Sequence, residues 1–99
     1  TDKETRAAIQ HIYEIAGYIA DPHGAVGYLG LKEYQKTYSN SHGVFLETAH
    51  PVKFLDVVEE TLGVSLAIPT QIQNVLGKPK KSVRITEYKY LKEHLLNNT

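Results

Sequence analysis

Apolar residues near the start of the chain fall on one helix face. Ala8, Ile12, Ile15 and Ile19 follow at intervals of four, three and four, and Ile9 and Ala16 widen the stripe. This spacing predicts an amphipathic helix over 2–18, with Gly17 as its stop signal. Asp21-Pro22 then reads as a helix start, because Asp accepts from free N–H groups and Pro fits the first helical position. The second helix is predicted over 22–38, with Ala25, Val26, Leu29 and Tyr34 along its stripe. Gly24, Gly27 and Gly30 recur every third residue on or beside that stripe. Each costs a helix about 1 kcal/mol relative to Ala. Their presence predicts close approach of another backbone or a helix end set against a ligand.

After the polar turn 39–43, Val44-Phe45-Leu46 is apolar without alternation, the pattern of a strand covered by helices on both faces. His50-Pro51 opens a third helix with Phe54, Leu55, Val58 and Leu62 as its stripe and Gly63 as its stop. A short helix over 70–76 and a basic connector, Lys78-Pro79-Lys80-Lys81, follow. Thr86 is expected to cap a last helix over 87–96, with Tyr88, Leu91 and Leu95 on one side. Val83-Arg84-Ile85 has the length of a second short strand but no matching buried pattern.

One buried strand cannot form a sheet, because its N–H and C=O groups would stay unpaired. The expected fold class is therefore α/β: a helix-rich piece, with four to five helices and one buried parallel-type strand, whose partner strands lie elsewhere. The start at Thr1 and the absence of Met point the same way, to a fragment of a longer chain. No repeat or composition break divides 1–99, so no internal boundary is expected. In isolation, the open edge of 44–46 predicts self-association.

Charge and composition narrow the function. Eleven Lys plus Arg balance eleven Asp plus Glu. A neutral chain is a poor candidate for binding nucleic acid or an anionic membrane surface. Cysteine is absent, which excludes disulfides, thiolate metal sites and a Cys nucleophile in this chain. No apolar run approaches the ~20 residues of a membrane span, and no leader opens the chain. The expected setting is the cytoplasm.

Two places can carry chemistry. One is the turn Glu47-Thr48-Ala49-His50-Pro51-Val52-Lys53-Phe54, where Thr48 ends the predicted strand and a helix start follows. In open α/β sheets ligands sit at such ends, and helix N-termini suit anions. Lys53 falls in the expected first turn, where the dipole disfavours a cation, which invites a substrate anion as its partner. The other place is Asp21-Pro22-His23. The spacings of His23, His42 and His50 match no metal-ligand motif. No nucleophile elbow, Walker loop or dinucleotide fingerprint is present.

Thr48-Ala49-His50-Pro51-Val52-Lys53-Phe54 closely resembles the T-A-H-P-A-K-F segment of threonine synthases. Asp21-Pro22-His23-Gly24-Ala25-Val26 resembles the D-P-H-T-A-V segment of the same family, in the same order and at similar separation. The resemblance is good from Gly17 to Leu62, and beyond Ile68 it extends only to helical character. It implies the C-terminal part of a pyridoxal-phosphate enzyme of the tryptophan-synthase-β-like fold, which converts O-phospho-L-homoserine and water to L-threonine and phosphate. The Schiff-base lysine and phosphate-binding loop of that family lie upstream of these segments. No catalytic residue is therefore expected in this chain, which should be inactive alone, bind no cofactor alone and require the remainder of its parent. By its place in the motif, Thr48 is the candidate hydroxyl for the pyridine nitrogen, which tunes the ring as an electron sink. His50, Lys53, Asp21 and His23 are implied as walls of the substrate pocket. Two departures stand out: Val52 replaces the commoner Ala, and Gly24 replaces the commoner Thr. Glu47 adds a carboxylate with no assigned role. The alternatives are a free-standing α/β binding module and part of another enzyme of the same cofactor fold, such as a serine or threonine dehydratase.

Overall fold

Helix α1 (Asp2–Ala16) starts where Thr1 and Glu4 form a reciprocal capping box, with Asp2 and Glu4 placing negative charge at the positive end of the dipole. It stops at Gly17, whose φ of 63° is a left-handed conformation that glycine adopts without strain. Helix α2 (Pro22–Thr37) starts at Asp21, which accepts from the Gly24 N–H, and carries Pro22 at its first position. Pro51–Phe54 form a 3-10 turn that leads into α3 (Leu55–Leu62), which ends at Gly63. Two further helices follow, α4 (Thr70–Gln73) and α5 (Tyr88–Asn97). The computed structural model describes residues 1–98. It forms two compact units, Thr1–Ile68 and a second that begins at Pro69.

In the first unit α1 packs against both α2 and α3. Ala8, Ile9, Ile12, Ala20, Ala25 and Val58 are buried, and Tyr28, Leu29 and Leu62 pack around Ala8, Ile9 and Ala25. The helical stripes are thus recovered at their centres and fail at their ends. Ile15 is 63% exposed and Val26 56% exposed, so the apolar faces of α1 and α2 extend past the surface that buries them. Arg6 links α1 to α3 by donating to Thr61 Oγ1 at 3.0 Å and pairing with Glu60 at 2.9 Å.

The expected strands are absent: no strand occurs among the described residues. Residues 44–48 are irregular, and their side chains alternate. Val44 and Leu46 are 90% and 78% exposed, whereas Phe45 and Glu47 turn inward. Phe45 meets Tyr28 edge to face at 6.0 Å between centroids and lies against Gly27. A strand is defined by a hydrogen-bonded neighbour, and a side-chain pattern cannot supply one. Residues 83–85 also form no strand. Three helix limits shift for local reasons. The left-handed Gly17 ends α1 before Tyr18, Pro51 opens a 3-10 turn instead of α3 itself, and α4 stops at Gln73. Glu87, not Thr86, occupies the cap of α5, and it makes no side-chain cap bond. Tyr88, Leu91 and Leu95 remain exposed.

The core of the first unit is small, so each member weighs heavily. Ile9 is completely buried. Ile9→Ala should lower the unfolding free energy by about 2–5 kcal/mol through lost transfer energy and the cavity left behind, read as a lower midpoint in urea at unchanged slope.

Candidate functional site

Asp21 is a completely buried acidic side chain at the start of α2. Its two oxygens have separate tasks. Oδ1 accepts from the Gly24 N–H at 2.9 Å, and Oδ2 lies 2.8 Å from His23 Nδ1. A carboxylate can only accept, so Nδ1 carries a proton, and Nε2 is the ring nitrogen left unengaged by Asp21. The His23 side chain is 65% exposed, and its ring meets Phe54 edge to face at 5.1 Å. That contact joins the Asp21-Pro22-His23 segment to the end of the 48–54 run.

Glu47 completes the junction from the other side. Its Oε1 accepts from the Asp21 N–H at 3.3 Å, while Oε2 is buried without a hydrogen-bond partner. Burial, reinforced by the neighbouring Asp21 carboxyl, pushes Glu47 up to about 7. Burial pushes Asp21 the same way, but the neighbouring Glu47 carboxyl, the Gly24 N–H and His23 outweigh it, so Asp21 lies below its ordinary value. Of the two carboxyls, Glu47 is therefore the one that keeps its proton to higher pH. A Cβ at position 24 would overlap Glu47 Oε2 and crowd the rest of its carboxyl. This accounts for Gly24 where the resembling segment has Thr: the missing side chain is the space the carboxyl fills. Of the other spaced glycines, Gly27 touches Phe45 and Gly30 faces open space.

The remaining candidates lie on the same loop and are exposed. His50 caps the 3-10 turn, with Nδ1 accepting from the Val52 N–H at 3.1 Å. That bond leaves the proton on Nε2, so His50 presents a donor outward. Lys53 precedes α3 instead of standing in its first turn, and that turn carries Asp56. Thr48 is exposed, and its hydroxyl has no bonding partner among the described residues. The structure thus brings Asp21 and His23 together with Glu47 and Phe54, and leaves Thr48, His50 and Lys53 open to solvent. Glu47 is the residue that sequence reasoning left without a role. The signal for it was the simultaneous presence of Gly24 and Glu47 beside two otherwise familiar segments.

A family model described as threonine synthase, C-terminal, matches residues 24–94. The chain belongs to the threonine synthase family. The threonine synthase of Buchnera aphidicola from Acyrthosiphon pisum is 34% identical over 97 residues, which is 97% of this chain and 22% of that protein. The Escherichia coli threonine synthase is 31% identical over 98 residues, again 98% of this chain and 22% of the relative. A crystal structure of pyridoxal-phosphate-bound threonine synthase from Brucella melitensis matches with a TM-score of 0.64 and 31% identity, covering 98% of this chain and 21% of that one. The chain therefore spans about a fifth of the length of these relatives. The likeness also reaches well past Ile68, where the sequence segments alone had shown only helical character.

The acidic pair predicts a pH dependence. Glu47 retains in the fold a proton that the unfolded chain releases near the ordinary value of 4.5. Its stabilising contribution is complete below that pH, declines as pH rises through about 7, and is level beyond. Unfolding free energies of wild type and Glu47→Gln, measured in urea at successive pH values, should diverge across this window, with the decline absent in the variant.

Proposed function

We propose that this chain forms one wall of the cofactor and substrate pocket of a threonine synthase, which converts O-phospho-L-homoserine and water to L-threonine and phosphate. Membership of the family and the fit of Thr48 to its place support the reading. The carrying observation is the Thr48 hydroxyl, exposed and unengaged, at the head of the run that holds His50 and Lys53. When bound, pyridoxal phosphate supplies the electron sink for chemistry at the substrate's carbon atoms. Thr48 would hold the pyridine nitrogen by a hydrogen bond from its hydroxyl. A neutral donor leaves that nitrogen unprotonated, where a carboxylate would favour the charged form.

The other residues present complementary polarity. His50 Nε2–H and the Lys53 ammonium are donors suited to a substrate phosphate. His23, oriented by buried Asp21, offers an acceptor that can take or hold a proton. The lysine that carries the cofactor belongs to the remainder of the parent chain, and the chain alone is inactive and holds no cofactor. Exposed Ile15, Val26, Val44 and Leu46 fit burial against that remainder better than the surface of a free-standing module. No helix among the described residues is long and apolar enough to cross a membrane, and we place the parent in the cytoplasm.

In the full-length enzyme, Thr48→Val keeps shape and removes one hydrogen bond. Its dissociation constant for pyridoxal phosphate should rise about tenfold, the equivalent of about 1.4 kcal/mol. Unchanged cofactor affinity and turnover would remove Thr48 from this role. The chain by itself, incubated with pyridoxal phosphate, reduced with borohydride and analysed by mass spectrometry, should show no stoichiometric label on any one lysine. Specific labelling of a single lysine would contradict the assignment of the cofactor lysine to the rest of the parent.

A further inference from the structure

Glu47 immediately precedes Thr48, and nothing in the reaction proposed above uses it. Three independent features converge on its carboxyl. The Asp21 N–H donates to Oε1, Oε2 is buried without a partner, and Gly24 leaves open the volume that the carboxyl occupies. Glycine at this helix position forgoes about 1 kcal/mol relative to Ala, so the clearance is kept at a cost. We propose that Glu47 is a positioning residue whose carboxyl, seated on the Cβ-free face of Gly24, fastens the Thr48 segment to the start of α2. The inference rests on the reading of Thr48 as the cofactor's partner and adds what holds that hydroxyl in place.

The surroundings make the latch depend on a proton. Asp21, at the cap of α2, and His23, in its first turn, are the charged or titratable groups that act on the Glu47 carboxyl, and the groove that Glu47 lines is shared with Tyr18, Tyr28 and the apolar Ile12, Ile15 and Ala16. Asp21 is ionised and opposes a second negative charge, while His23, on the far oxygen of Asp21, acts weakly in the opposite sense. Protonated Glu47 sits in this groove of about 380 Å³ without charge. Ionised Glu47 would place a second carboxylate beside Asp21 with one oxygen cut off from water, and the favourable response is to swing outward. On this side of Thr48 the segment is otherwise anchored by Phe45, and beyond it by Phe54, so release of Glu47 loosens the stretch that carries Thr48.

The test uses the full-length holoenzyme as wild type, Glu47→Gln and Gly24→Ala. Gln keeps the shape and hydrogen bonding of the neutral acid at every pH. Ala at 24 displaces the carboxyl, which lies at the end of a flexible side chain, without requiring the helix to move. Hydrogen exchange of the peptide spanning 44–50, corrected for intrinsic rates, should match in wild type and Glu47→Gln at about pH 6, and be about tenfold faster in wild type at about pH 8.5. Gly24→Ala should exchange fast at both. The pyridoxal phosphate dissociation constant should rise with pH about threefold to tenfold more in wild type than in Glu47→Gln. Wild type and Glu47→Gln changing in step in both measurements, or Gly24→Ala exchanging like wild type at the lower pH, would overturn the latch. The exchange measurement does not depend on what Thr48 touches. A failed Thr48→Val result is therefore distinguishable from a failed latch.

Discussion

A single buried carboxylate, that of Asp21, orders the functional end of this protein. Isolated charge in a protein interior is strongly disfavoured unless hydrogen bonds replace its water. Here the start of α2 supplies an N–H and a favourable dipole, and His23 supplies a ring N–H. Each of these bonds also fixes something else: the first sets where α2 begins, and the second sets which nitrogen of His23 faces outward. The Asp21 backbone N–H, in turn, holds Glu47. Helix start, histidine tautomer and loop placement are therefore consequences of keeping one charge buried.

The second carboxyl would be intolerable next to the first if both were ionised. The arrangement survives near neutrality because the two groups divide one proton unequally, as neighbouring acids do when their environments differ. Burial acts on both, but Asp21 has the hydrogen-bond donors and stays charged, while Glu47 has fewer and keeps its proton to higher pH. Gly24 is the geometric condition for this division. A side chain at that position would push the Glu47 carboxyl toward water, where it would ionise and leave Asp21 alone. Two departures from an otherwise recognisable pattern, one residue too small and one unexpectedly acidic, are thus two halves of one contact.

Local signals in the sequence were read well where a residue's role is settled by its immediate neighbours. The Asp21-Pro22 helix start, the Gly17 and Gly63 stops and the central stripe residues Ile9, Ile12, Ala25 and Val58 depend on backbone chemistry and period, and they stand in the structure as expected. The strand at 44–46 failed because apolar composition cannot distinguish a residue buried between two layers from one that is apolar and exposed. Val44 and Leu46 are the second kind, and Phe45 is half-buried against α2. The exposed ends of the α1 and α2 stripes have the same origin: periodicity shows which face is apolar but not what covers it. Within the site, Asp21 and His23 were legible from their motif. The part of Glu47 was not, because its contact with Gly24 crosses twenty-three positions and appears in sequence only as two unrelated oddities.

The two histidines show how capping prepares a site for ligand. In each, one ring nitrogen is committed within the chain, His50 Nδ1 to the Val52 N–H and His23 Nδ1 to the Asp21 carboxylate. The committed bonds run in opposite senses: His50 Nδ1 accepts, which leaves a donor at Nε2, whereas His23 Nδ1 donates. Lysine provides the same donor sense as His50 without a directional constraint, and Thr48 can serve in either sense because its hydroxyl rotates. The hydrogen-bond polarity of the exposed groups is thus set in part by a backbone cap and by one buried carboxylate lying behind them.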